Sequence, residues 1–174
     1  MHTIYTIGHS TRTIEQFLEL LKAHTIEELV DVRTIPKSRH NPQFSNEALA
    51  ASLQQAGIAY AHFPQLGGLR HARKDSVNLG WQNTSFRGYA DYMATPEFQA
   101  ALDELKALAE KKRVAIMCAE AVPWRCHRSL IADALTIQGW QVLHIQSRKT
   151  ASPHELTSFL KVQDGKLTYP ASET

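Results

Sequence analysis

The sequence has little cysteine and no long apolar run. Its 174 residues include two cysteines, which excludes a scaffold held together by several disulfides. There is no stretch of about 18 consecutive apolar residues, so the sequence predicts no membrane-spanning helix and no membrane partner. The first residues also lack the basic segment followed by an apolar one that is typical of a secretory signal peptide. These absences predict a cytoplasmic protein with reduced thiols.

A large excess of charge of one sign is lacking as well. The net charge of +2 argues against a protein held on nucleic acid by bulk charge alone, although it leaves room for a local basic pocket. The apolar fraction of 43% is ordinary for a globular protein. The length suits one domain covering residues 1–174.

Short apolar runs alternate with amphipathic stretches along the chain. Five runs predict strands: TIYTIGH, EELVDVR, IAYAHF, RVAIMC and WQVLHIQ. Four stretches predict helices: TIEQFLELLKAH, NEALAASLQQAG, ATPEFQAALDELKALAEKKR and HRSLIADALTIQG. This alternation predicts an α/β domain with a mostly parallel sheet of about five strands and helices on both faces.

Three segments add to this pattern. Residues 64–94 predict a long irregular loop, and a structureless segment of that length suggests a functional loop or lid. Residues 162–170 contain an Asp-Gly pair between apolar residues, which predicts a small hairpin-like tail. The spacing of Ser152 and Glu155 is that of a capping box, which predicts one more helix.

Polar side chains follow the ends of several predicted strands. In parallel sheets, ligands bind beyond the carboxyl ends of the strands, so residues at these ends are expected to lie at one edge. They are His9, Ser10, Asp31, Arg33, Cys118 and Glu120. The sequence therefore predicts a ligand site at this edge.

The stretch IMCAEAVPWRCHRSLIA, residues 116–132, contains both cysteines and is open to three interpretations. The first is a metal site formed by Cys118, Cys126, His127 and His9. Structural zinc sites use short spacings such as Cys-x2-Cys, and the spacing Cys-x7-Cys-His is not one of them. The sequence therefore predicts no metal and no cofactor.

The second interpretation is an anion pocket. A helix N-terminus offers free N–H groups and the positive end of a dipole, which stabilise phosphate and other oxyanions. Several residues gather at or opposite this helix start, and they predict the anion-binding set Ser10, Arg33, Arg125, His127 and Arg128. The predicted partner is an anionic small molecule, either phosphorylated or nucleotide-like.

The third interpretation is a thiol nucleophile. Arginines and a helix start lower the pKa of a nearby cysteine, and this charge environment favours Cys126, whereas access at a strand end favours Cys118. The predicted catalytic residues are Cys118 as nucleophile, Glu120 or Asp31 as general acid or base, and His9 as proton carrier or orienting group. The Cys-x5-Arg loop of tyrosine phosphatases is absent. The pattern leaves open whether the protein is an enzyme.

Five motifs occur in the order found in one conserved family: YTIGHST, LVDVRTIPKSRHNPQF, YAHFPQLGG, IMCAEAVPWRCHRSLIADAL and DGKLTYP. Over nearly its whole length the chain resembles the bacterial and archaeal family known as domain of unknown function number four hundred and eighty-eight. This resemblance implies an uncharacterised conserved protein and brings no assigned activity.

A looser resemblance covers two stretches. LVDVR, followed later by a strand, a cysteine and an Arg-Ser pair opening a helix, is similar to rhodanese-type sulfurtransferases. It implies a rhodanese-like fold, with a flavodoxin-like arrangement as the alternative, and a persulfide carried by Cys118, with Arg128 and Ser129 as the pair. The loop from Cys118 to Arg128 is longer than the rhodanese loop and contains a proline and a second cysteine.

Two further functions stay open. A nucleic-acid-binding module would use the basic residues of the long loop together with two aromatic side chains on which bases could stack. These residues are Arg70, Arg73, Lys74, Trp81 and Phe86. The other alternative is a rhodanese-like interaction domain without catalysis. The sequence leaves the oligomeric state unknown.

Overall fold

The computed structural model describes residues 2–172 and forms an α/β domain around a six-stranded sheet. The strands of this sheet are β1 (Thr3–Gly8), β2 (Glu28–Asp31), β3 (Ala59–His62), β4 (Val114–Cys118), β5 (Gln141–Ile145) and β6 (Ala151–Pro153). The helices among the described residues are α1 (Ile14–Ala23), α2 (Asn46–Gln55), α3 (Thr84–Tyr92), α4 (Pro96–Lys111) and α5 (Arg128–Ile137). The mostly parallel α/β architecture predicted from the sequence is confirmed.

The strand order is β3-β2-β4-β1-β5-β6. The first five strands pair in parallel, and β6 runs antiparallel to β5 at one edge. Strand β4 therefore lies between β1 and β2, and Cys118 pairs in register with Gly8. This topology brings three of the strand ends singled out by sequence directly next to one another.

Helices cover both faces of the sheet and bury two separate apolar cores. Phe17 of α1 and Leu49 of α2 pack on one face, whereas Phe98 of α4 and Leu130 of α5 pack on the other. The central strands are buried on both faces, which explains why they read as continuous apolar runs.

The predicted helix at Ser152 is wrong. Residues Ala151–Pro153 form β6, in which Ser152 lies opposite His144 of β5. The backbone N–H of Thr157, which in a helix capped by Ser152 would bond the Pro153 carbonyl, instead donates to the Asp133 carboxylate at 3.1 Å. Sheet pairing and a buried carboxylate thus outweigh the local capping pattern.

The segment 64–94 is more regular than predicted. It contains a short 3₁₀ turn at Pro64–Leu66 and ends in α3, which begins after the cap residue Asn83. The remaining loop is fixed to α3, because the Asp91 carboxylate accepts hydrogen bonds from Ser76 Oγ at 2.6 Å and from Asn78 Nδ2 at 2.7 Å. These bonds hold the loop against its own helix.

The predicted C-terminal hairpin is present in the structure. Strands β7 (Lys161–Gln163) and β8 (Lys166–Thr168) pair antiparallel, and Asp164 and Gly165 between them have φ values of 52° and 77°. Two successive residues with positive φ are what a type I′ turn requires. No helix within residues 2–172 is long and apolar enough to cross a membrane.

Candidate functional site

A cleft of about 350 Å³ lies beyond the carboxyl ends of β2 and β4. Three segments line it. The loop after β2 contributes Arg33, Thr34 and Ile35, and the 64–94 segment contributes Gly68, Leu69, Ser85 and Phe86. The third segment, residues 118–128, is called the sulfur loop below, and it contributes Cys118, Ala119, Glu120, Arg125, Cys126 and His127.

Glycine at position 8 allows the sulfur loop to pass close over β1. A Cβ at Gly8 would lie 1.7 Å from the carbonyl oxygen of Glu120, which is backbone and has little room to move. The loop is also tied to the chain after β1, because the Ser10 N–H donates to the Ala119 carbonyl at 2.8 Å. The glycine in the YTIGHST motif is thus required by the loop that carries the cysteines.

Both cysteines are free thiols at the inner side of this loop. Cys118 is 2% exposed and Cys126 is 7% exposed, yet both line the cleft. The sulfur of Cys118 lies 3.6 Å from the Glu120 carbonyl oxygen, and the sulfur of Cys126 accepts the Arg128 N–H at 3.4 Å. A ligand in the cleft would therefore meet two sulfur atoms at its base.

The two thiols interact, and this separates their acidities. Burial raises the pKa of Cys118, but a hydrogen bond from the Cys126 thiol, the Arg128 charge and the Glu120 backbone together lower it below the ordinary value. The pKa of Cys126 is raised, because its thiol hydrogen-bonds to Cys118 and because it is buried. Cys118 is therefore the more acidic sulfur of the pair, although the N–H at the start of α5 is donated to Cys126.

His127 lines the cleft as a neutral side chain. Its Nε2 lies 2.9 Å from the Val32 carbonyl oxygen, which can only accept, so this nitrogen carries the proton. Burial lowers the pKa of His127 to about 4. At neutral pH the imidazole therefore carries no charge, and its predicted place in an anion-binding set stays a prediction.

Arg33 reaches the cleft from a buried ion pair. The Asp31 carboxylate is fully buried and binds Arg33 through Nε at 2.9 Å and NH2 at 2.7 Å. Arg33 NH2 also donates to the Phe44 carbonyl, and Tyr60 donates its hydroxyl proton to Asp31 at 2.6 Å. With its oxygens occupied and no contact with the cleft, Asp31 positions Arg33 and is not placed to act as an acid or base on a ligand.

His9 supports the same arginine. Its Nδ1 donates to the Ser10 carbonyl at 2.8 Å, so its Nε2 is left to accept from Arg33 NH1 at 3.5 Å. The imidazole stacks on Phe44 with the ring centres 4.4 Å apart, and burial lowers its pKa. His9 thus contacts Arg33 from behind the cleft wall, and its role as proton carrier or orienting group stays a prediction.

Arg128 points into the protein and away from the cleft. It is 1% exposed, its NH2 donates to the carbonyls of Glu120 and Ala121, and its NH1 donates to Thr6 Oγ1 at 3.2 Å. No carboxylate of residues 2–172 forms a salt bridge with it. It shapes the sulfur loop and places a buried charge near Cys118, instead of binding a ligand directly as predicted.

The remaining predicted residues differ in whether they line the cleft. Glu120 and Arg125 are exposed and line the cleft, as a ligand-binding role requires. Ser10 does not line it, and its φ of 50° shows that the chain turns sharply there. Within residues 2–172, no group of three or more His, Cys, Asp or Glu side chains is arranged to hold a metal ion.

The basic and aromatic residues of the 64–94 segment are largely engaged within the protein. The Arg70 guanidinium lies 3.7 Å from the centre of the Tyr92 ring and donates to three backbone carbonyls of the segment. Arg73 pairs with Asp75 on the surface. Trp81 and Phe86 pack edge-to-face with ring centres 5.1 Å apart. The structure therefore gives no continuous stripe of free basic and aromatic side chains here.

Several residues of the site were missed from the sequence. Phe44 and Tyr60 complete the surroundings of Asp31 and Arg33, but an isolated aromatic residue carries no pattern that distinguishes this role from ordinary packing. Gly68 could have been noticed in the PQLGG motif. A Cβ at this position would lie 2.6 Å from His127 Nδ1, so the glycine lets the loop approach the imidazole.

The fold and the site together define an α/β domain with a two-cysteine loop at the carboxyl edge of its sheet. The chain belongs to the family described as "Domain of unknown function DUF488", whose model matches residues 13–135. No curated protein and no solved structure matches the chain. The resemblance to rhodanese-type domains is not confirmed by these comparisons.

Proposed function

We propose that this protein is a small cytoplasmic enzyme that uses the Cys118 thiolate as a nucleophile on an anionic, phosphorylated or nucleotide-like substrate. The observation that carries the proposal is the pair of buried free thiols at the base of a cleft that two arginines also line. A nucleophilic cysteine acts as its thiolate, and Cys118 is the sulfur whose surroundings favour that form.

The substrate anion is held by Arg33 and Arg125. Arg33 uses four of its five N–H groups on Asp31, His9 and Phe44, which leaves one NH1 proton for a ligand. This fixed guanidinium cannot swing away, so it selects the position of an anionic group. Arg125 is exposed at the other side of the cleft and can close on the ligand from solvent.

The covalent step follows from the acidities of the two thiols. Cys118 Sγ forms a bond to the electrophilic atom that carries the anionic oxygens, and the bond from that atom to the leaving oxygen breaks. The electron pair of the broken bond stays on the leaving oxygen, which takes the proton of the Cys126 thiol. Because the pKa of Cys126 is raised, this thiol is protonated before the step and can serve as the acid.

Glu120 is the carboxylate placed for a second step. Its side chain is exposed at the cleft and does not pair with Arg128, which binds only its backbone carbonyl. There it can accept a proton from a water molecule that releases the substrate fragment from Cys118. The buried thiols also fit a reducing compartment, because two neighbouring cysteines in an oxidising one are prone to form a disulfide.

Anion binding is tested by protection of Cys118 against iodoacetamide. Inorganic phosphate is expected to slow alkylation of the wild-type protein several-fold, relative to chloride at equal ionic strength, because the anion occupies the space above the sulfur. Arg125→Ala should lose most of this protection. Arg148→Ala is the matched control, since that arginine is exposed and pairs with Glu19 outside the cleft.

Turnover is tested with the same proteins. Intact-mass spectrometry after incubation with a panel of phosphomonoesters and nucleotides should detect a covalent adduct that Cys118→Ser abolishes. An alkylation rate that phosphate leaves unchanged would remove the anion site from the proposal. The absence of any Cys118-dependent adduct or product across the panel would contradict the proposed enzymatic activity.

A further inference from the structure

A chain of buried hydrogen bonds starts at Arg128 and crosses the sheet edge away from the cleft. Thr6 Oγ1 lies 3.2 Å from Arg128 NH1 and 2.5 Å from His144 Nδ1. His144 Nε2 lies 2.8 Å from His154 Nδ1, and His154 Nε2 lies 2.8 Å from Asp133 Oδ1. All five side chains are buried or nearly so, with Thr6 and Asp133 fully buried.

The partners at each end determine which group donates there. The Asp133 carboxylate accepts from the Tyr169 hydroxyl and from Thr157 as well, so His154 Nε2 must donate to it. At the other end a guanidinium only donates, so Thr6 Oγ1 accepts from Arg128.

His144 links the two ends through an uncharged ring. Burial lowers the pKa of His144 to about 3, so this ring carries one proton at pH 7. One of its nitrogens therefore donates and the other accepts, which connects Thr6 Oγ1 to His154 Nδ1.

This arrangement accounts for an arginine that lacks a direct counter-ion. Arg128 forms no salt bridge with a described residue, and its buried Nε has no hydrogen-bond partner among residues 2–172. An isolated buried charge is costly unless hydrogen bonds and charge compensate it. The chain to Asp133 supplies one compensation, and the neighbouring Cys118 sulfur, when ionised, supplies the other.

We infer that Thr6, His144, His154 and Asp133 are positioning residues for the sulfur loop: they hold the Arg128 guanidinium against the carbonyls of Glu120 and Ala121, beside the Cys118 sulfur. The geometry of the loop carries this inference, because the Glu120 carbonyl accepts from Arg128 NH2 at 3.1 Å and from the Cys118 thiol at 3.6 Å. The inference rests on the proposed thiol function and extends it to four residues outside the cleft.

The four residues do not form a second acid-base site in their own right. His144 and His154 line a separate cleft of about 560 Å³, but all four of their ring nitrogens are used within the chain. A ligand in that cleft would find no free imidazole nitrogen. The hydrogen-bonded side chains therefore act on Arg128 and not on a ligand of this second cleft.

The first test breaks the chain at Thr6, next to Arg128. Thr6→Val keeps the shape of the side chain but removes the hydroxyl that links Arg128 to His144. The pH profile of Cys118 alkylation should shift upward by at least about one pH unit, because the guanidinium is no longer held in place. Thr6→Ser should restore the wild-type profile. Thr136→Val is the matched control, since that hydroxyl bonds only the Ala132 carbonyl of its own helix.

The second test needs no variant. Nitrogen-15 NMR of the histidine rings in the wild-type protein should show a neutral His144 ring and a proton on Nε2 of His154, which donates to Asp133. An unprotonated Nε2 on His154 would overturn the chain as described. A folded Thr6→Val protein with the wild-type Cys118 profile would overturn the positioning role. If the midpoint of the Cys118 alkylation profile in the wild-type protein did not lie below the ordinary cysteine value, the proposed thiol function would be refuted. The NMR result would still test the hydrogen-bonded chain from Arg128 to Asp133.

Discussion

Asp31→Asn is expected to lower the free energy of unfolding by about 3–5 kcal/mol, the range found when one partner of a buried ion pair is removed. Asp31 is fully buried and Arg33 is 7% exposed, so asparagine would leave the arginine charge in the interior without its counter-ion. The Tyr60 hydroxyl and the Arg33 backbone N–H would lose a charged acceptor at the same time. Urea denaturation followed by circular dichroism measures the change.

Asp75→Asn is the matched control for this loss. It also breaks an Asp–Arg pair two residues apart, but Arg73 and Asp75 are 71% and 74% exposed. Solvent and salt screen such an exposed pair, so the control should remain close to the wild-type stability. If Asp31→Asn lost no more stability than Asp75→Asn, the buried pair would not hold the cleft wall as described.

Cys126→Ala is expected to raise the pKa of Cys118, because the hydrogen bond from the Cys126 thiol is the largest of the influences that lower it. The pH profile of the Cys118 alkylation rate should therefore shift to higher pH. At pH 7 the alkylation rate should fall roughly threefold for each unit by which the pKa of Cys118 rises. A tenfold smaller thiolate fraction is partly offset by the greater nucleophilicity of a more basic thiolate.

Cys126→Ser separates this effect from a simple packing defect. Serine retains a hydrogen-bond donor next to Cys118 and is close in size, so its profile should lie nearer to the wild type than that of the alanine variant. Stopped-flow or quenched alkylation over a pH series measures both variants. Equal profiles for wild type and Cys126→Ala would mean that the two sulfurs do not share a proton.

The sheet and most of its helices could be predicted because the pattern of apolar residues in these segments follows which side chains are buried. Strands such as VAIMC are buried on both faces and read as apolar runs, and Thr13 and Gln16 form the capping box at the start of α1. Helix α3 could not be predicted, because Gly88 lies in its interior where the Arg70 carbonyl approaches. Strand β6 was mistaken for a helix because the spacing of Ser152 and Glu155 matches a capping box, whereas the hairpin that pairs β6 with β5 has no glycine or proline in its turn.

The position of the candidate site could be predicted from the sequence, but the directions in which its side chains point could not. Strand ends bring Arg33 and Cys118 to one edge in any parallel sheet, so their proximity follows from topology. Whether Arg128 faces the cleft or the core depends on Thr6 and on the turn at Glu120, which are distant from it in the chain. The relative acidity of the two cysteines likewise depends on their contact, which spacing alone does not reveal.

The reactive thiol is the central claim, and peptide mapping after iodoacetamide treatment of the wild-type protein tests it most directly. Labelling over a pH series is expected to appear first on Cys118, reached through the cleft, with a profile whose midpoint lies below the ordinary cysteine value of 9.0. Cys126 should react only at higher pH. Labelling confined to Cys126 at neutral pH, with Cys118 inert, would contradict the account.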